Sequence, residues 1–329
     1  MKKKLIKILT ITFGSLLALF WLAVLAFNLV ENGPAHASLK NSKRGFVIPW
    51  SNKGYIAQGI TYDEQSNNFY LTGYMKDGSA SPILVVNKKS RRLVNAVRMI
   101  NPDGSAFTGH AGGLTLFENK IYIAGSNDSC FYVFEKSAVD EAKKNSTLAY
   151  TEVLDLKNGN DKIKVAYCTT RDGLIFAGEF YRDPQYLLQE EHQVQTSDGL
   201  QHALAVGFKP NGTTAKATVA YSIPNEVQGM CFADDGIYLT TSWGLGKSKV
   251  FKYSYANISQ SGTKQVCGQN VPLFVLTQQN ATAAYTLPPM AEEIEFVDGR
   301  FYISNESASN KYVFGKFTGG KWCRAYKFE

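Results

Sequence analysis

Eight side chains in this sequence are of the right type to bind or work on a polar ligand, provided the fold brings them together. They are Gln58, Tyr74, His110, Glu179, Gln228, Trp243, Glu292 and Glu306. The carboxyl and amide groups among them could converge on a polar organic molecule or on a hard cation such as calcium, which takes oxygen ligands. Glu292 and Glu306 are the candidate metal ligands. Glu179, Glu292 and Glu306 also offer a general acid/base pair, whose mechanism would depend on the separation of the two carboxyls. Tyr74 and Trp243, with Tyr181, supply ring faces for a sugar or a peptide. His110 lies in "GHAGG", where the glycines allow backbone to approach closely.

Other chemistries lack their residues. No Gly-x-Ser-x-Gly elbow, phosphate-binding loop, Rossmann glycine fingerprint or zinc-protease spacing occurs. Beyond the N-terminal segment the histidines are His110, His192 and His202, so a histidine-based triad has few candidates. The five cysteines, Cys130, Cys168, Cys231, Cys267 and Cys323, form no Cys-x-x-Cys pair, which argues against a structural zinc site. Their odd number leaves at least one thiol free.

The elements that must position the eight residues repeat along the chain. "YLTGY" at Tyr70, "YIAGS" at Tyr122, "FAGEF" at Phe176, "YLTTS" at Tyr238 and "YISNE" at Tyr302 recur at spacings of 52, 54, 62 and 64 residues. Before each comes a short apolar run and a polar turn: "QGITY", "GGLTLF", "AYCTT", "QGMCF" and "EEIEF". After it come "SPILVVN", "SCFYVFE", "HALAVGFK", "SKVFKYSY" and "SNKYVFGKF". A fourth run closes each unit: "RRLVNAVRMI", "AYTEVLDL", "KATVAYSI", "FVLTQQNATAAYTL" and "WCRAYKF". Four short strands per unit, rich in aromatic and β-branched residues, predict an all-β fold, a β-propeller of five four-stranded blades. Six blades are the alternative, with one concealed in a long unit. "RGFVIPW", Arg44 to Trp50, reads as an outer strand that joins the last blade and clasps the ring.

In its repeat rhythm over residues 56–329, the chain resembles the broad superfamily of six-bladed propellers that includes calcium-dependent lactonases and strictosidine-synthase-like proteins. The resemblance implies calcium and hydrolysis. That family's metal-binding Glu, Asn and Asp are not matched residue by residue, so its activity is not carried over.

In a propeller, the loop into each innermost strand and the loop after the second strand share one face. That rule puts Gln58, Gly112, Ala166, Gln228 and Glu292 at the strand entrances, with His110 beside them. Tyr74, Glu179, Trp243 and Glu306 follow the second strands. Alternation turns Glu293 away from Glu292 and Glu295, towards solvent. The long insertion Tyr181 to Gln201 falls on the same face, where it reads as a lid carrying Tyr186, Glu190, Glu191 and His192 or as a disordered loop.

The N-terminus is a separate part. Lys2, Lys3, Lys4 and Lys7 precede an uncharged run from Ile8 to Val30, long enough to span a bilayer core. The lysines are expected to stay cytoplasmic and the rest to be exported. Ala35-His36-Ala37 also fits a signal-cleavage site after Ala37, giving either an anchored or a secreted protein. Residues 1–37 are thus a basic stub, membrane segment and linker, and residues 38–329 the extracytoplasmic propeller. The whole chain carries net charge +7, and the exported part +4 without a long basic run, which argues against a nucleic-acid partner. Six Asn-x-Ser/Thr sequons, at Asn127, Asn145, Asn211, Asn257, Asn280 and Asn305, matter only in a host that glycosylates exported proteins.

The expected function is a binding or interaction module whose partner is a glycan, a peptide or a cell-surface polymer. A calcium-dependent hydrolase of the lactonase type is the alternative, and a non-catalytic scaffold the third.

Overall fold

The computed structural model describes residues 2–312, 315 and 320–328. Residues Lys2–Asn32 form one helix, exposed along nearly its whole length and long and apolar enough to cross a membrane. A short helix, His36–Lys40, leads from it into the first strand.

The rest is a β-propeller. Its first blade runs from the axis outwards as Tyr55–Asp63, Asn68–Met75, Pro82–Asn87 and Arg92–Ile100. The second is Leu114–Phe117, Lys120–Gly125, Cys130–Glu135 and Glu152–Asp155. The third is Val165–Arg171, Leu174–Glu179, Ala203–Asn211 and Thr214–Ile223, and the fourth Val227–Ala233, Gly236–Thr241, Ser248–Ser254 and Ala283–Leu287. The fifth is Ala291–Val297, Arg300–Asn305, Trp322–Tyr326 and, outermost, the N-terminal strand Ser42–Val47. The five first strands pack side by side in a closed ring. Each of the five interfaces between blades is filled by its own apolar cluster; Tyr70, Val85 and Met99 meet Leu114, Ile123 and Phe134 between the first and second blades, for example. A single four-stranded sheet could not bury both faces alone, and the ring lets it.

Each repeated anchor residue lies in the second strand of its blade. The paired Gln-Gly motifs have a steric reason. A Cβ on Gly59 would lie 2.7 Å from the Leu114 nitrogen, and one on Gly229 would lie 2.7 Å from the Glu293 Cα. These glycines let neighbouring inner strands touch backbone to backbone at the axis.

Several expectations change. "WCRAYKF" supplies the third strand of the last blade, because Ser42–Val47 pairs antiparallel with it and takes the fourth place. Most of "SNKYVFGKF" beyond Tyr312 lies outside the described residues. The outer strand of the fourth blade is confined to Ala283–Leu287, since the hairpin Gln260–Val266 and Gln269–Val275 leaves that blade and adds parallel to the edge of the third. Thr147–Ala149 likewise adds parallel to the outer edge of the first blade. Both additions cover edge strands that would otherwise present unpaired backbone. All five cysteines are free and buried.

Glu293 overturns the expectation of exposure. It is 1% exposed and sits where all five inner strands meet. Its Oε2 accepts the N–H groups of Ile60 at 2.7 Å and Leu114 at 3.2 Å, and its Oε1 that of Cys168 at 2.9 Å. Those donors belong to the first, second and third blades, and the carboxyl to the fifth. The physical reason is a β-bulge: the pairing of Ala291–Val297 with its neighbour shifts register between Ala291 and Ile294, so simple alternation fails there.

Candidate functional site: the cavity at the channel entrance

Similar register shifts occur at the entrances of three of the other four inner strands, between Ala57 and Ile60, Val165 and Tyr167, and Val227 and Gly229. Each bulge falls on a residue predicted for the rim: Gln58, Ala166, Gln228 and Glu292. Bulges re-aim a side chain out of the pleat, and here those four residues face a cavity of about 790 Å³. That volume is in the range of small-molecule sites.

Seven of the eight candidate residues line this cavity: Gln58, Tyr74, His110, Gln228, Trp243, Glu292 and Glu306. Glu179 does not. It is 1% exposed, and its carboxyl accepts the Lys164 N–H at 3.3 Å and the Leu204 N–H at 3.2 Å and bonds His192 Nδ1 at 2.9 Å.

The wall formed by the first and fifth blades is polar. The Gln58 amide donates to Glu306 Oε1 at 2.7 Å, and its carbonyl oxygen bonds His110 Nε2 at 2.7 Å. With the amide so oriented, His110 carries its proton on Nε2 and leaves Nδ1 as an acceptor. Tyr74 stacks on the His110 ring, 4.7 Å between centroids. Lys311 Nζ donates to the Tyr74 hydroxyl at 3.0 Å. The surrounding protein, and then the Lys311 charge, hold His110 down to about 4, although its ring stays open to the cavity. It is a neutral imidazole at physiological pH.

The two carboxyls on this wall differ. Burial raises Glu306, while Lys311, the Tyr312 hydroxyl, Gln58 and the Tyr74 hydroxyl act to keep it ionised. Glu292 is 3% exposed, and among the described residues nothing bonds its carboxyl. Burial first, then the negative charges of Glu306 and Glu293, push it well above the ordinary carboxylate range. Its surroundings therefore favour the acid form.

The third and fourth blades contribute a cluster of rings, with Lys164, Gln185, Gln228 and Ser242 among them. Phe180 and Tyr186 meet edge to face at 5.3 Å, and Tyr186 and Trp243 do so at 5.8 Å. Leu187 and Leu188 continue the surface. Arg182 stacks over Trp243 at 4.7 Å and pairs with Glu226.

The insertion Tyr181 to Gln201 is an ordered flap. Its 3₁₀ turn Glu190–His192 buries His192 between Glu179 and Asp161, and Lys164 Nζ donates to Leu187 O at 3.0 Å. Tyr186 reaches the cavity; Glu190 and Glu191 point to solvent outside it.

Lys311, Tyr312 and Phe180 also line the cavity and have no counterpart among the predicted residues. Phe180 directly follows Glu179 in "FAGEF", so the correct position was one residue further on. Lys311 and Tyr312 lie in "SNKYVFGKF", which the repeat aligns with the third strands, whereas the third strand of that blade is Trp322–Tyr326.

Calcium takes six to eight oxygens. Among the described residues, no three His, Cys, Asp or Glu side chains are grouped to hold a metal. Glu306 is already engaged by an amide donor and lies beside Lys311. The residues present do not fit a calcium centre.

No family model matches this chain, and no curated protein does. Among solved structures, the chain is similar to a Myxococcus xanthus glutaminyl cyclase, at 10% identity and a TM-score of 0.46, over 87% of this chain and 93% of that one. It is also similar to a chain of a nidogen/laminin complex, at 10% identity and a TM-score of 0.39, over 77% of this chain and 73% of that one. The ring of blades stands on the chain's own strand pairings.

Proposed function

We propose that the chain is a ligand-binding propeller, held at a membrane by residues 8–30, whose cavity takes a small organic ligand or the end of a glycan or peptide. One observation carries this reading: the channel entrance is a cavity of about 790 Å³ lined by hydrogen-bonding side chains together with a cluster of aromatic rings. The Glu292 carboxyl opens into this cavity with no side-chain or backbone partner among the described residues, so a ligand can reach it. Lys2, Lys3, Lys4 and Lys7 favour a cytoplasmic N-terminus, with residues 38–329 on the other side.

The test is thermal melting of the full chain in detergent micelles against panels of oligosaccharides and short peptides. A ligand that binds only the folded state raises the midpoint. Members of one panel are expected to do so, and Trp243→Ala and Tyr186→Ala to reduce the effect. If neither panel shifts the midpoint, the binding reading fails.

A further inference from the structure

Glu292 deepens that reading, on which this inference rests. The charged groups around it are engaged: Glu306 accepts from Gln58, and Lys311 is bonded to Tyr74. Neutral His110 has its Nε2–H directed at Gln58. Across the cavity, Lys164 is bonded to Leu187 O. Of the carboxyl and ammonium groups that line the cavity, the Glu292 carboxyl alone has no partner among the described residues. That carboxyl opens into the cavity, where a ligand group can pair with it.

Charge narrows the ligand class. Glu306 and Glu293 are the charges that act on Glu292. The two ammonium groups of the lining are bonded elsewhere, Lys311 to the Tyr74 hydroxyl and Lys164 to Leu187 O. An ionised Glu292 therefore has no cation of its own, and a ligand ammonium supplies one. The packed rings of Phe180, Tyr186 and Trp243 lie opposite and suit an apolar body.

We propose that the cavity binds a protonated amine with an aromatic or aliphatic body, its ammonium group on Glu292 and its body against Phe180, Tyr186 and Trp243. Binding then involves one proton. The acid form of Glu292 loses its proton to solvent, and the resulting carboxylate pairs with the ammonium ion, so charge and atoms balance. Burial and the nearby carboxyls, which favour the acid form of Glu292 in the empty cavity, are what this coupling requires.

The experiment uses phenethylamine and its neutral counterpart 2-phenylethanol, titrated calorimetrically into the full chain in micelles across neutral to mildly alkaline pH. Wild type is expected to prefer the amine, with affinity rising up to about tenfold per pH unit while Glu292 is losing its proton and the amine keeps its own. Proton release should accompany binding. Glu292→Gln should lose about tenfold or more in amine affinity and keep its affinity for the alcohol. Trp243→Ala should weaken both ligands and leave the pH slope intact. Equal binding of amine and alcohol, unchanged in Glu292→Gln, overturns the amine inference and leaves the ligand-binding reading standing. If neither probe binds, the amine inference also falls, and the glycan and peptide panels alone decide the broader reading.

Discussion

Glu293 Oε2 accepts the Ile60 N–H at 2.7 Å, whereas the carboxyl of Glu292, one residue earlier, is bonded by none of the described residues. The bulge between Ala291 and Ile294 separates them: one side chain turns into the axis, the other into the cavity. The first joins four blades by hydrogen bonds, and the second is left to the cavity.

Burial pushes both carboxyls up, Glu293 against the pull of its three N–H donors, so linkage acts alike on both and the two substitutions differ through hydrogen bonding. Glu293→Gln replaces an acceptor by a donor that faces backbone N–H groups, and is expected to destabilise by about 2–3 kcal/mol. Glu292→Gln is expected to stabilise at neutral pH. The sign follows from linkage: the folded state binds the Glu292 proton more tightly than the unfolded chain, whose carboxyl titrates near 4.5. The stability that this contributes is complete below that value and is lost as pH rises towards the folded pKa. A glutamine amide in its place does not titrate, so the variant should gain on wild type from acid to neutral pH. Denaturant melts of both variants at two pH values check this.

His192 predicts a pH dependence of the flap. Burial acts to lower its pKa, but the Glu179 hydrogen bond and charge, then Asp161, raise it overall. A histidine with a raised folded pKa contributes stability that is fully present below its unfolded value, near 6.5, and lost as pH rises through the folded one. Above that point the clamp on Glu179 and Asp161 loses its charge. Amide exchange around residues 185–192, corrected for intrinsic rates, should quicken there, while the inner strands stay protected. His192→Gln should abolish the extra pH dependence and cost about 1–3 kcal/mol, because Glu179 keeps its two backbone donors but loses its charged partner.

Much of this was legible in the sequence because a propeller repeats its inner strands. The Gln-Gly pairs mark where backbones touch, and the aromatic anchors mark second strands. Repetition also located Gln58, Gln228 and Glu292 at one rim. It failed where single units depart from the pattern. Alternation cannot foresee a bulge, so Glu293 was assigned to solvent. Glu179 ends its strand as Glu306 follows its own, but the third-blade flap folds back and covers it with His192. The parallel additions Thr147–Ala149 and Gln269–Val275 pair with other blades, a long-range choice that local pattern does not encode.

The glycines give a prediction with a built-in control. A Cβ on Gly113 would lie 2.5 Å from Glu293 Oε1 and 2.7 Å from the Tyr167 Cα, so it meets backbone as well as a side chain. Gly113→Ala and Gly229→Ala are expected to destabilise by about 1–3 kcal/mol, the usual range for overpacking. A Cβ on Gly246 would meet only the Trp243 carbonyl oxygen, at 3.4 Å. Gly246→Ala should stay within about 0.5 kcal/mol of wild type. Urea melts of the three variants separate the axis from the rim.

Calcium provides a test of the cavity's charge. The empty cavity favours the acid form of Glu292, and Glu306 is bonded by Gln58 and lies beside the Lys311 ammonium. A divalent cation would have to displace the Glu292 proton, lie near Lys311 and draw most of its six to eight oxygens from water. Millimolar calcium followed by EDTA is therefore expected to leave the melting midpoint of the full chain unchanged. An upward shift reversed by EDTA would mean a cation bound to the folded state alone. If Glu292→Gln abolished that shift, the Glu292 carboxylate assigned to an amine would belong to a metal instead.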